Sequence, residues 1–167
     1  AAQRDPDSEA RIEALQEVVT VVRSLRKEYG VAEGERVDVH VVRESAAVRE
    51  GLAGRGSELE RLARIGRLEH ASAAEGAVGA HAALKAGGEV FIPLEGVVDV
   101  ERERERLATE IARLEGQLAG TRRKLDNQSF VDRAPAEVVQ HERDKAQSQE
   151  EQLASLRDKL TLFDTLA

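Results

Sequence analysis

Five cations fall between positions 113 and 133 of this chain, Arg113, Arg122, Arg123, Lys124 and Arg133, against three acids, Glu115, Asp126 and Asp132. The segment therefore carries a local charge of +2 on a chain whose net charge is −7. Arg122, Arg123 and Lys124 are consecutive, so on a helix they fan out and at least one or two must point away from any buried seam. Beside them stands the polar run Asn127-Gln128-Ser129. Long cationic donors next to amides and a hydroxyl suit sugar-phosphate oxygens, so Arg113, Arg122, Arg123, Lys124, Asn127, Gln128 and Arg133 are the candidate nucleic-acid contacts. Cations in a last helical turn also complement the helix dipole without any ligand, which accounts for Lys124 more readily than for the whole cluster. A second basic group, Arg49, Arg55, Arg61, Arg64 and Arg67, offers similar chemistry nearer the N-terminus.

Other chemistries find no constellation. The four histidines, His40, His70, His81 and His141, are isolated and lack metal-ligand spacing, and the chain has no cysteine. No metal, cofactor or catalytic residue is expected. Gly51, Gly54 and Gly56 resemble a phosphate loop only loosely: no Lys-Ser or Lys-Thr follows, and a helix candidate rather than a strand precedes them, so a loop-forming role is expected. The Glu/Arg alternation at Glu101–Arg106 reads as a solvated helix face with weak i,i+4 pairs.

The elements that must position the cations are legible from periodicity. From Val100 the apolar register runs through Leu107, Ile111, Leu114, Leu118 and Leu125, with Arg104 and Thr121 filling seam positions. After a break at Asp126–Pro135 it resumes at Val139, Ala146, Leu153, Leu156, Leu160 and Phe163, with Glu142 and Gln149 as polar members. Steps of three and four define a heptad period, and two such stripes joined by a short break predict an antiparallel helical hairpin. Helices of roughly 26 to 30 residues would be about 40 Å long, an arm that reaches something.

Upstream, Asp5-Pro6 opens a helix whose stripe runs Ile12, Leu15, Val19, Val22, Leu25 and Tyr29, and Gly30 ends it. Such a helix must pack on the following segment or on an absent neighbour. Val37, Val39 and Val41 alternate with polar residues and predict a strand, followed by a helical stretch at Ser57–Arg64 and a second strand at Ile65–Glu69. Ala77–Leu84 and Glu89–Leu94 flank Gly87-Gly88 as a hairpin. The expected core is Val37, Val39, Val41, Leu59, Leu62, Leu68, Leu84, Val90 and Ile92. The fold class is α+β: an N-terminal helix (1–34), a small α+β unit (35–97) and a long C-terminal antiparallel two-helix coiled coil (98–167).

Composition bounds the rest. No apolar run spans a bilayer and no signal-peptide pattern is present, which gives a cytoplasmic expectation. Aromatics are 2% of residues, arguing against base stacking on aromatic platforms, and the absence of methionine suggests a piece of something longer.

Three passages carry a resemblance: Ile92-Pro93-Leu94-Glu95-Gly96-Val97-Val98-Asp99, then Lys124-Leu125 through Phe130, then Ala134-Pro135-Ala136-Glu137-Val138-Val139. In order and spacing they resemble the C-terminal region of bacterial valyl-tRNA synthetases, where Pro-Leu-Glu-Gly enters a terminal coiled coil and the later motif marks its turn. Val22-Arg23-Ser24-Leu25-Arg26 similarly resembles the closing helix of the family's anticodon-binding domain. The resemblance implies a non-catalytic tRNA-binding arm that leans on the outer corner of tRNA, where the D and T loops meet, and assists aminoacylation by a parent valine–tRNA ligase. The family's nucleotide-binding signatures and editing domain are absent from this chain. Partners implied are valine-accepting tRNA and the rest of the synthetase, with self-association through an uncovered face of the first helix. The rival readings from composition are a protein-interaction or scaffold module and a free-standing relative that binds another nucleic acid.

Overall fold

The computed structural model describes residues 5–73 and 78–167. The chain forms two compact units, residues 1–99 and 100–167.

In the first unit, helix α1 (Pro6–Glu28) begins where Asp5 Oδ1 accepts from the Asp7 amide at 3.2 Å. It ends at Gly30, whose φ of 71° suits glycine and lets the Val31 amide reach back to the Arg26 carbonyl at 2.9 Å. Its buried face is Ala14, Leu15, Val18, Val19, Val22, Leu25 and Arg26. Ile12, expected on the apolar stripe, lies at its exposed end, 47% accessible.

Strand β1 (Val37–Val42) is followed by helices α2 (Ala46–Leu52) and α3 (Gly56–Ala63) and by strand β2 (Ile65–Ala71). The two helices form the crossover that a parallel β1–β2 pair requires. Strands β3 (Gly79–Ala83) and β4 (Glu89–Pro93) make the expected hairpin, with Gly87 and Gly88 both at positive φ. Ala77, expected to start that hairpin, lies outside the described residues. The sheet order is β2-β1-β4-β3, with β4 antiparallel to both neighbours. Gly66 is the extra residue of a bulge: Val37 pairs with Ile65 and Asp38 with Arg67, which leaves Gly66 unpaired. Gly79 is required by close approach, because an added Cβ would overlap the Ile92 carbonyl oxygen and lie 2.7 Å from Phe91 Cζ.

The core holds Val37, Val39, Val41, Leu59, Leu84, Val90 and Ile92 as expected, extended by Val18, Val22, Val48 and Leu52. Leu62 is corrected: it is 40% exposed, since α3 turns Leu59 and Ala63 inward instead. Leu68 is half-buried. α1 packs on α2, and Gly51 of α2 sits where a Cβ would press 2.5 Å from the Arg11 carbonyl oxygen. The apolar face of the first helix is thus covered by the segment that follows it.

The second unit is the antiparallel hairpin of α4 (Val100–Asp126) and α6 (Ala136–Leu166). Ile111, Leu114, Leu118, Ala146 and Leu153 form its buried cluster, with Leu125, Leu156 and Leu160 packed against it. Near its open end Arg104 is only partly covered and bonds Asp164 and Glu101, while its neighbour Glu103 is the buried residue and pairs with Arg106. The turn contains a helix of its own, α5 (Gln128–Arg133), where a polar loop was expected. Pro135 takes the N-cap position and Ala136 begins α6.

Candidate functional site

The tip of the hairpin is built by caps. Asn127 Oδ1 accepts from the Phe130 amide at 3.3 Å and so starts α5 immediately after α4 ends. Phe130 and Val131 are half-buried, and Gln128 Nε2 donates to Asp132 Oδ1 at 2.8 Å across one helical turn. Asn127 and Gln128 therefore hold the turn in shape.

The cations differ in what they face. Arg113 pairs with Glu110 at 2.5 Å, a hydrogen-bonded contact that holds the Glu110 carboxyl below and the Arg113 guanidinium above their ordinary values. Arg122 reaches across the hairpin to Glu150 at 2.7 Å, and Lys124 reaches the half-buried Glu142 at 3.2 Å. Arg123, in the last turn of α4, and Arg133, in the last turn of α5, are exposed and have no ion-pair partner among the described residues. The pairs of Arg113 and Arg122 are exposed and screened by solvent, weak enough for a phosphate to compete. The tip thus presents two unpaired guanidinium groups at the closed end of the hairpin.

In the second basic group three of the five arginines are held in ion pairs. Arg49 is held by Glu44 at 2.6 Å, Arg55 by Glu58 at 3.1 Å, and Arg67 lies 3.5 Å from Glu69. Arg64 is the left-handed C-cap of α3. The histidines are dispersed: His40 lies edge-on to Phe91, His70 Nδ1 is 3.1 Å from Glu44, and His81 is 4.0 Å from Glu89. Among the described residues no group of three potential ligands could hold a metal ion, and no helix is long and apolar enough to cross a membrane.

Two charged residues that matter to the fold escaped the sequence reading. Arg26 is 7% exposed and donates to the carbonyls of Glu35 at 2.7 Å, Ala32 at 2.9 Å and Glu33 at 3.2 Å, tying down the loop after α1. Its signal was its position, four residues after Val22 and seven after Val19, on the apolar stripe itself. Glu17 accepts from the amides of Lys85 at 2.6 Å and Ala86 at 3.0 Å, which pins the β3–β4 turn to α1. Nothing local in the sequence marks it.

The class that the geometry defines is a mixed four-stranded α+β unit followed by an antiparallel helical hairpin whose tip carries exposed cations. The family profile described as "Valyl tRNA synthetase tRNA binding arm" matches residues 99–163. Along more of the chain, similarity extends to valine–tRNA ligases: 36% identity to that of Cereibacter sphaeroides over 98% of this chain, 34% to that of Xanthomonas euvesicatoria over 90%, and 31% to that of Syntrophotalea carbinolica over 93%. The chain spans 16%, 15% and 17% of the length of these relatives, respectively. Residues 99–163 match the tRNA-binding arm of valyl-tRNA synthetases, and the chain corresponds to their C-terminal region.

Proposed function

We propose that this chain is a non-catalytic, tRNA-binding appendage of a cytoplasmic valine–tRNA ligase, and that its hairpin docks on the outer corner of tRNA, where the D and T loops meet, to assist aminoacylation. Residues 1–34 would close an anticodon-binding-type domain, 35–97 form the small α+β unit and 98–167 the arm. The observation that carries the docking is a pair of guanidinium groups, Arg123 and Arg133, without ion-pair partners among the described residues, at the closed end of two helices of 27 and 31 residues. Helices of that length reach about 40 to 46 Å at 1.5 Å per residue, enough to meet a part of the RNA remote from the reacting end. Arg113, Arg122 and Lys124 add to the tip's cationic field, while Asn127 and Gln128 keep the turn rigid. Planar guanidinium groups suit both phosphate oxygens and exposed loop bases, which matters in a chain with 2% aromatics. No residue here is assigned a chemical step, so the chain alone should neither activate valine nor hydrolyse mischarged tRNA. Self-association through α1 would use the little apolar surface that this helix leaves open, chiefly Ile12.

The test is a salt titration of binding to tRNA with the valine anticodon, to an unrelated tRNA and to duplex DNA. Arg123→Glu with Arg133→Glu is expected to weaken tRNA binding at least tenfold, and each lost phosphate contact to lower the salt slope by about 0.7 to 0.9. Equal, weak binding to all three nucleic acids would favour a protein-interaction module instead.

A further inference from the structure

The two long flanks of the hairpin are chemically unlike. On one, the charges cancel in pairs that bridge the helices: Arg122 with Glu150 at 2.7 Å and Arg157 with Glu115 at 2.6 Å, either side of a shallow groove. The other flank carries a groove of about 400 Å³, bordered by Arg113 and Gln117 from α4 and by His141, Lys145, Ser148 and Gln152 from α6. The α6 residues recur at steps of four, three and four, which sets them in one row parallel to the seam. Donors predominate along it. Arg113 is paired along its own helix with Glu110 at 2.5 Å, and Asp144, the carboxylate among the described lining residues, accepts from Gln140 Nε2 at 2.8 Å; Lys145 and His141 have no ion-pair partner among the described residues, and no pair bridges the two helices across this groove among them.

Two further observations point to a ligand on this side. Gln149, which also lines the groove, is 6% exposed and its Oε1 is buried without a hydrogen-bond partner. Gly120 continues the α4 row three residues beyond Gln117, and a Cβ added there would meet nothing within 4 Å. A mid-helix glycine is disfavoured against alanine, and close packing within the hairpin does not explain it. What a bare helix face does permit is the close approach of another surface.

We propose that the flank carrying Arg113, Gly120 and Lys145 is the side of the arm that lies along an RNA sugar-phosphate backbone. This rests on the tRNA-binding reading and goes further by assigning a side. Arg113 and Lys145 meet phosphate oxygens, and Gln117, Ser148 and Gln152 hydrogen-bond riboses, with Gly120 letting the backbone sit close. Arg122, on the opposite flank, then serves as a strut between the helices.

The experiment compares the whole chain with four variants, Arg123→Glu with Arg133→Glu among them, in salt-dependent titrations against tRNA with the valine anticodon, with circular dichroism confirming that each is folded. Arg113→Gln with Lys145→Gln should weaken binding at least tenfold and lower the salt slope by about 1.4 to 1.8. The charge-matched pair Arg143→Gln with Arg157→Gln, one heptad before and one after Glu150 on the paired flank, should stay within threefold with its slope unchanged. Gly120→Leu should raise the thermal midpoint while weakening binding, a combination that a purely structural glycine would not produce. If the two double variants behave alike while Arg123→Glu with Arg133→Glu still weakens binding, the side assignment is overturned and the arm reading stands. If the unaltered chain shows no preference for tRNA over duplex DNA, both fall.

Discussion

Replacing Arg26 by methionine keeps much of its volume and removes its hydrogen bonds. The guanidinium makes three bonds of 3.2 Å or shorter to the carbonyls of Ala32, Glu33 and Glu35, and burial, with the nearby Arg64 charge, holds its pKa below the ordinary arginine value. Bonds to a charged donor are worth about 1.5–3 kcal/mol each. The three carbonyls sit in an exposed loop and regain water in the variant, and the desolvation of the guanidinium is relieved, so roughly half of the gross loss is recovered. A net destabilisation of about 3 kcal/mol remains, roughly a 150-fold change in the unfolding constant. Tyr29 is the only tyrosine, there is no tryptophan, and it caps α1 beside this loop, so tyrosine fluorescence reports on the first unit. At a slope of about 1.5 kcal/mol/M the urea midpoint should fall by about 2 M. Arg26→Lys, with a point charge in place of the fork, should recover less than half. A change under about 0.5 kcal/mol for the methionine variant, or a lysine variant as stable as the original, would refute the clamp.

Two other perturbations follow from buried groups. Burial pushes the Glu44 carboxyl up, yet its own amide, the Arg49 hydrogen bond and charge, and His70 outweigh burial and hold it below the ordinary glutamate value. A depressed carboxyl contributes stability that is present above its unfolded pKa and lost as pH falls through the folded one; Glu44→Gln should therefore lower the midpoint at pH 7 and flatten its decline between about pH 5 and 3, which melts across that range would show. Gln149→Leu removes a buried acceptor without a partner and adds an apolar seam residue, so the hairpin should gain about 1–2 kcal/mol in a denaturant melt followed at 222 nm; a loss would mean that Gln149 has a partner in solution.

Local periodicity by itself determined most of the elements. The heptad steps specified two long helices and their antiparallel return, because an apolar stripe of that period is buried only by another like it. Alternation specified β1, and Gly30 and Gly87-Gly88 marked a helix end and a hairpin turn, because only glycine adopts their backbone angles cheaply. Even the candidate cations were legible, as a local excess of positive charge in an acidic chain. What only the tertiary structure decided was pairing and burial between residues distant in sequence. The parallel β1–β2 pair and its bulge at Gly66 depend on a crossover whose register no local pattern encodes. Leu62 is outside and Arg26 inside because the packing of whole elements, not residue type, sets which turn of a helix is covered. Arg122 and Arg123 are neighbours of one type, yet one is held by Glu150, 28 residues away, and the other has no ion-pair partner among the described residues. That difference lies in the α4–α6 register, which brings a carboxylate within reach of one guanidinium and not of the next.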